Sequence, residues 1–153
     1  MKTLKTAIAS LLVLAASAGA AFAQQPTNLS GLVGTWVNVN PATKNIVRVV
    51  VTQVGGQLRI HTYGKCTPTP CDHGEIAADA YSLGVSSAVA KGFSGQYDFG
   101  FKTTLVTGLR SGVLLALETR NKFAGGDNRF DYASRELFKK RRIILPEPIL
   151  TAK

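Results

Sequence analysis

Residues 45–63 read NIVRVVVTQVGGQLRIHTY, two β-branched runs joined by Gly55-Gly56. In the first run Val47, Val49 and Val51 share one face. In the second, Leu58, Ile60 and Thr62 alternate with Arg59, His61 and Tyr63. Period-two alternation of this kind marks a strand with one buried and one wetted face. A Gly-Gly pair accepts the positive φ values that a two-residue hairpin turn demands. The stretch therefore predicts an antiparallel hairpin, Asn45 to Val54 and Gln57 to Tyr63.

The same grammar extends in both directions. Gly34 to Asn38 predicts a strand closed by Asn40-Pro41. Downstream come Glu75 to Ser82, Lys91 to Phe99, Lys102 to Leu109, Val113 to Phe123 and Arg129 to Lys139. Gly100, Ser111-Gly112 and Ala124-Gly125-Gly126-Asp127-Asn128 separate the later runs, and a loop is predicted from Gly64 to Gly74. Short β runs punctuated every ten or so residues indicate an all-β sandwich or barrel. Short connections make neighbours antiparallel. About eight such strands close into a single up-and-down barrel, which removes exposed sheet edges.

The first 23 residues carry a different signal. Lys2 and Lys5 precede an uncharged run from Ala7 to Ala21, and Ala21-Phe22-Ala23 follows. A positive, then apolar, then small-residue order is that of a cleavable secretory signal peptide. The expected organisation is a leader over 1–23, a β-barrel domain over 24–142 and a tail over 143–153. A membrane span needs ~20 strongly apolar residues, and no later stretch supplies them. The expected location is periplasmic or extracellular.

The chain carries 18 Lys and Arg against 9 Asp and Glu; without the leader's two lysines the balance is +7. Six of the remaining cations fall between Arg129 and Arg142, and Lys139 to Arg142 are consecutive. Such a run can attract an anionic polymer or lipid, which gives one candidate partner class. No aromatic residues interleave with it as single-strand nucleic-acid binding requires, so nucleic acid is not an expected partner.

Cys66 and Cys71 are the only cysteines, within Tyr63-Gly64-Lys65-Cys66-Thr67-Pro68-Thr69-Pro70-Cys71-Asp72-His73-Gly74. Three chemistries compete here. An even cysteine count in an exported chain favours a disulfide stapling a loop. Cys66, Cys71, His73 and Asp72 also form a conceivable ligand set, although no second Cys or His pair completes a closed metal site. A redox dithiol would place two residues between its cysteines at a helix start, whereas four stand here. No nucleophile elbow, zinc-protease helix or phosphate-cradling loop is present. No catalytic residue, metal or cofactor is expected. His61 and His73 read as surface side chains.

Gly34-Thr35-Trp36 at the start of an apparent eight-strand barrel resembles the calycin superfamily: lipocalins, fatty-acid-binding proteins and avidins. That resemblance implies a Trp packed at the closed barrel end beneath an Arg from the last strand, here Trp36 and Arg135. The avidin-like opening strand implies that Asn38 faces a ligand. The Tyr63-Gly64-x-Cys66 and Pro70-Cys71-Asp72-x-Gly74 pattern also resembles one found in small exported bacterial proteins of unassigned activity. A barrel of this size holds one small ligand or is filled by side chains. The leading expectation is a non-catalytic binding protein. Its ligand would be small and apolar or amphipathic, in a mouth lined by Phe93, Tyr97, Phe99, Phe101, Phe130 and Tyr132. The alternative is an interaction module using the cationic last strand and tail.

Overall fold

The computed structural model describes residues 25–141. The expected leader and the whole of the expected tail lie outside these residues. Eight strands run in order: β1 Gly34–Asn38, β2 Ile46–Val54, β3 Gln57–Gly64, β4 Cys71–Tyr81, β5 Gly92–Asp98, β6 Lys102–Ser111, β7 Leu114–Phe123 and β8 Tyr132–Lys140. Each pairs antiparallel with its sequence neighbour, and β1 pairs with β8 to close the barrel. The fold is the all-β up-and-down barrel that the alternation predicts. Two boundaries differ by more than two residues. β4 starts at Cys71 rather than Glu75, so the loop after β3 is only Lys65–Pro70. β8 starts at Tyr132 rather than Arg129 because Asp127 holds the Arg129 N–H and guanidinium in a tight turn.

Up-and-down order sends alternate connections to opposite ends. The β1–β2, β3–β4, β5–β6 and β7–β8 connections define an upper end, and the other three a lower end. The lower interior is filled by Trp36, Val49, Val51, Leu58, Phe93, Leu115 and Phe138, all at most 2% exposed. Phe93 lies across Gly108, closer than a Cβ would allow, so glycine there lets the ring fill the barrel.

The segment before β1 closes that end. Leu29 and Leu32 are buried, and the Leu32 carbonyl accepts from Trp36 Nε1 at 2.7 Å. Asn28 forms backbone bonds with Ala88 and Ala90, tying the segment to the β4–β5 connection. A buried indole N–H needs such a partner, which explains why the closing segment is anchored under the single Trp. The cation over the Trp36 ring is Lys140, 5.5 Å from the centroid. Arg135 points outward and lies 3.7 Å from Glu118. The parity of β8 decides this: Trp36 pairs with Lys140, and Arg135 falls on the opposite face from Lys140.

Candidate binding site at the open end of the barrel

Above the Trp36 layer the inward positions turn polar: Thr62 from β3, Thr104 from β6, Thr119 and Asn121 from β7 and Ser134 from β8. They surround a cavity of about 180 Å³ that opens between the upper loops. Its size lies below the roughly 300–1,000 Å³ of drug-sized pockets.

One wall is built by a bulge. His61 pairs with Glu75 and Tyr63 with Asp72, so His73 and Gly74 together face Thr62. Two residues opposite one is a β-bulge, which re-aims side chains. Gly74 sits at φ +81°, a conformation costly for a residue with a Cβ. Without the bulge, parity from Ile76, Ala78 and Ala80 would aim Gly74 and Asp72 inward. With it, His73 enters the barrel and Asp72 faces out. Gly64 makes room: a Cβ there would stand 2.7 Å from His73 Nε2.

The bulge also breaks the β3–β4 ladder, and Tyr97 repairs it. Its hydroxyl accepts from Thr62 N at 3.0 Å and lies 3.1 Å from both the Ile60 and Gly74 carbonyls. Pairing between β4 and β5 runs only over Asp79–Tyr81 and Gly92–Ser94, so this side chain stitches the wall where strand pairing stops. Burial pushes the Tyr97 hydroxyl's pKa above 10.

Inside the cavity, His73 Nδ1 meets Thr62 Oγ1 at 3.0 Å, and its ring abuts Phe99 edge-on at 5.5 Å between centroids. Tyr97 and Phe99 are parallel, 5.7 Å apart. Burial, reinforced by Lys102, pushes the His73 pKa below 6.5. The imidazole is therefore neutral at pH 7. Lys102 Nζ lies 5.4 Å from the Phe99 centroid and donates to Asn121 Oδ1 at 3.0 Å. Thr104 donates to the same oxygen at 2.8 Å, and Asn121 Nδ2 donates to Thr119, which meets Ser134 at 2.8 Å. Burial lowers the Lys102 pKa, with Arg129 adding to the effect. Lys44 and Lys65 stand exposed at the rim, and the lining holds no Asp or Glu.

The residues expected at the site are distributed as follows. Tyr97, Phe99 and Tyr132 line the cavity, while Trp36 and Phe93 belong to the packed lower core. Asn38 is buried, but its amide is committed to the Ile46 carbonyl and the Asn40 N–H, which hold the β1–β2 loop. Phe101 is exposed beneath Arg129, Phe130 is 91% exposed, and Arg135 lies on the outer wall. The expected site residues do not include Thr62, His73, Lys102, Thr104, Thr119 or Asn121, all of which line the cavity. The alternation in β7 marks Thr119 and Asn121 as inward, because Glu118 and Arg120 occupy the other face.

Cys66 and Cys71 form a disulfide at the cavity rim, directly above the Gly64–Cys71 pair. With both sulfurs bonded, the thiolate metal set and the free dithiol are not available, and no three His, Cys, Asp or Glu side chains converge as a metal site among the described residues. On the outer wall His61 stacks on Tyr63 at 4.5 Å and bonds Asp72, and Arg48 covers the other side of Tyr63 at 3.8 Å. The His61 bond is the chief reason that the Asp72 carboxyl titrates below its ordinary value.

Fold and site together define a small closed antiparallel barrel with one end filled and one end open, an architecture compatible with a calycin-like fold. Comparison with protein-family models, with curated proteins and with solved structures finds no match for this chain. Among the described residues no helix is long and apolar enough to cross a membrane.

Proposed function

We propose that this chain is an exported, non-catalytic binding protein that holds one small amphipathic ligand in the upper half of its barrel. The observation that carries the reading is the division of the interior. The lower half is packed to exclusion, whereas the upper half keeps about 180 Å³ between an aromatic shelf and a ring of hydroxyl and amide groups. A concave apolar wall with a few convergent polar groups is the usual form of a small-ligand site. The Cys66–Cys71 disulfide is compatible with an oxidising compartment, and supports export.

The rival reading, an anionic partner held by the cationic last strand, has less support. Arg129 is engaged by Asp127, Arg135 lies beside Glu118, and Lys140 covers Trp36. Of the run's five cations among the described residues, only Lys139 and Arg141 are without such a partner.

Native mass spectrometry of protein purified from its own host, followed by challenge with small aliphatic and aromatic acids, alcohols and amides, tests the proposal. A bound mass or saturable uptake that is lost when Thr104→Phe fills the cavity supports it. No bound species and no uptake from any class would overturn it.

A further inference from the structure

The cavity's charge has no internal answer. Lys102 is partly buried, and its Nζ is held only by the neutral oxygen of Asn121 and the face of Phe99. Among the described residues no carboxylate lies within ion-pair reach of it. The nearest strands supply acids that are already committed elsewhere. Asp98 caps the Gly100 N–H, Asp131 accepts from Phe123 N, and Glu136 is bonded to Thr43. An ammonium drawn from water toward an apolar wall is destabilised unless an anion compensates it.

Resting on the pocket reading above, we infer that the ligand's polar end is a carboxylate, with Lys102 as its counter-ion and His73 as a second polar contact beside it. Both groups border the same Phe99 ring, so a carboxylate on that shelf is reached from two sides. The other end of the ligand would lie against Tyr97 and Val106. A monoanion suits this site better than a phosphate. One ammonium is partly buried, His73 is neutral at pH 7, and no arginine fork lines the cavity. Lys44 and Lys65 at the rim add a positive field that favours entry of an anion.

Matched probe pairs test this: hexanoate against hexanol, and benzoate against benzyl alcohol, titrated by calorimetry at pH 7. The acids are expected to bind at least about tenfold more tightly than the alcohols. Lys102→Met is expected to erase that preference while keeping the far-UV spectrum of the parent, and Lys102→Arg to keep the preference. Equal affinity for acid and alcohol, or a preference that survives in Lys102→Met, overturns the carboxylate assignment and leaves the pocket intact. Failure of all four probes to bind overturns the assignment together with the pocket reading beneath it. Should Lys102→Met lose its fold, Lys102→Gln replaces it under the same criteria.

Discussion

Replacing Tyr97 with Phe removes one oxygen and leaves the ring that packs beside Phe99. That oxygen serves three backbone groups at a break in the β3–β4 ladder: Thr62 N, the Ile60 carbonyl and the Gly74 carbonyl. Ile60 and Thr62 are fully buried and Tyr97 is 3% exposed, so water has poor access to replace it. An unsatisfied buried donor or acceptor costs about 1–3 kcal/mol, whereas losing a hydroxyl that merely touches neighbours costs much less. The buried Thr62 N–H loses its acceptor and the two carbonyls lose the proton they share, which places the expected loss within that range, about 1–3 kcal/mol. With a urea slope of roughly 2 kcal/mol per molar, the midpoint should fall by about 1 M at unchanged slope. Equilibrium urea unfolding followed by fluorescence and far-UV dichroism measures both quantities. Hydrogen exchange adds a local check, since the Thr62 amide should lose protection in Tyr97→Phe. The pH profile supplies a sign. Burial raises the folded-state pKa above the unfolded value near 10, so this contribution is complete below pH 10 and is lost as pH rises toward the folded value. The variant should not show that part of the alkaline loss. A midpoint within about 0.2 M of the parent, with Thr62 still protected, would refute the stitching role.

Three further outcomes follow from the same geometry. Trp36→Ala empties the lower core and unseats Leu32, and should cost about 3–5 kcal/mol in urea unfolding, whereas Arg135→Ala on the outer wall should change stability by less than about 0.5 kcal/mol. Replacing Cys66 and Cys71 together with Ser opens a loop of sequence separation 5 and should lower stability by about 2 kcal/mol, read from the same titration. His73 is held below its ordinary pKa by burial and Lys102, against the opposing pull of Asp72 and with a smaller contribution from His61. Its stabilising contribution is therefore present above pH 6.5 and lost as pH falls through the folded-state value, so the parent should lose more stability than His73→Gln between pH 7 and pH 5.

The barrel was legible because most strands announce their faces. In β3 the charged and aromatic Arg59, His61 and Tyr63 leave only Leu58, Ile60 and Thr62 for the interior. In β5, Phe93, Gly95 and Tyr97 share a face, as the sequence indicates. The site was much less legible, for two physical reasons. In β6 both faces are equally apolar: Leu105 and Leu109 lie outside, while Lys102 and Thr104 lie inside. Hydrophobic alternation gives no direction there, and a lysine defaults to solvent. In β4 the alternation is interrupted, because the bulge at Gly74 turns His73 inward after the period has already assigned it outward. The Arg135 expectation failed to place the cation over Trp36 for a related reason. Register across a barrel seam depends on shear, and Lys140, five residues on, is what the β1–β8 pairing brings to the indole.

The most direct test of an open upper barrel is an amide chemical-shift titration of the protein with hexanoate. Binding in the cavity predicts saturable, single-site shifts at Thr62, His73, Lys102 and Asn121, with Leu115 and Phe138 in the packed lower core unmoved. No shifts at millimolar ligand, or shifts confined to the outer wall around Arg135 and Glu118, would contradict it.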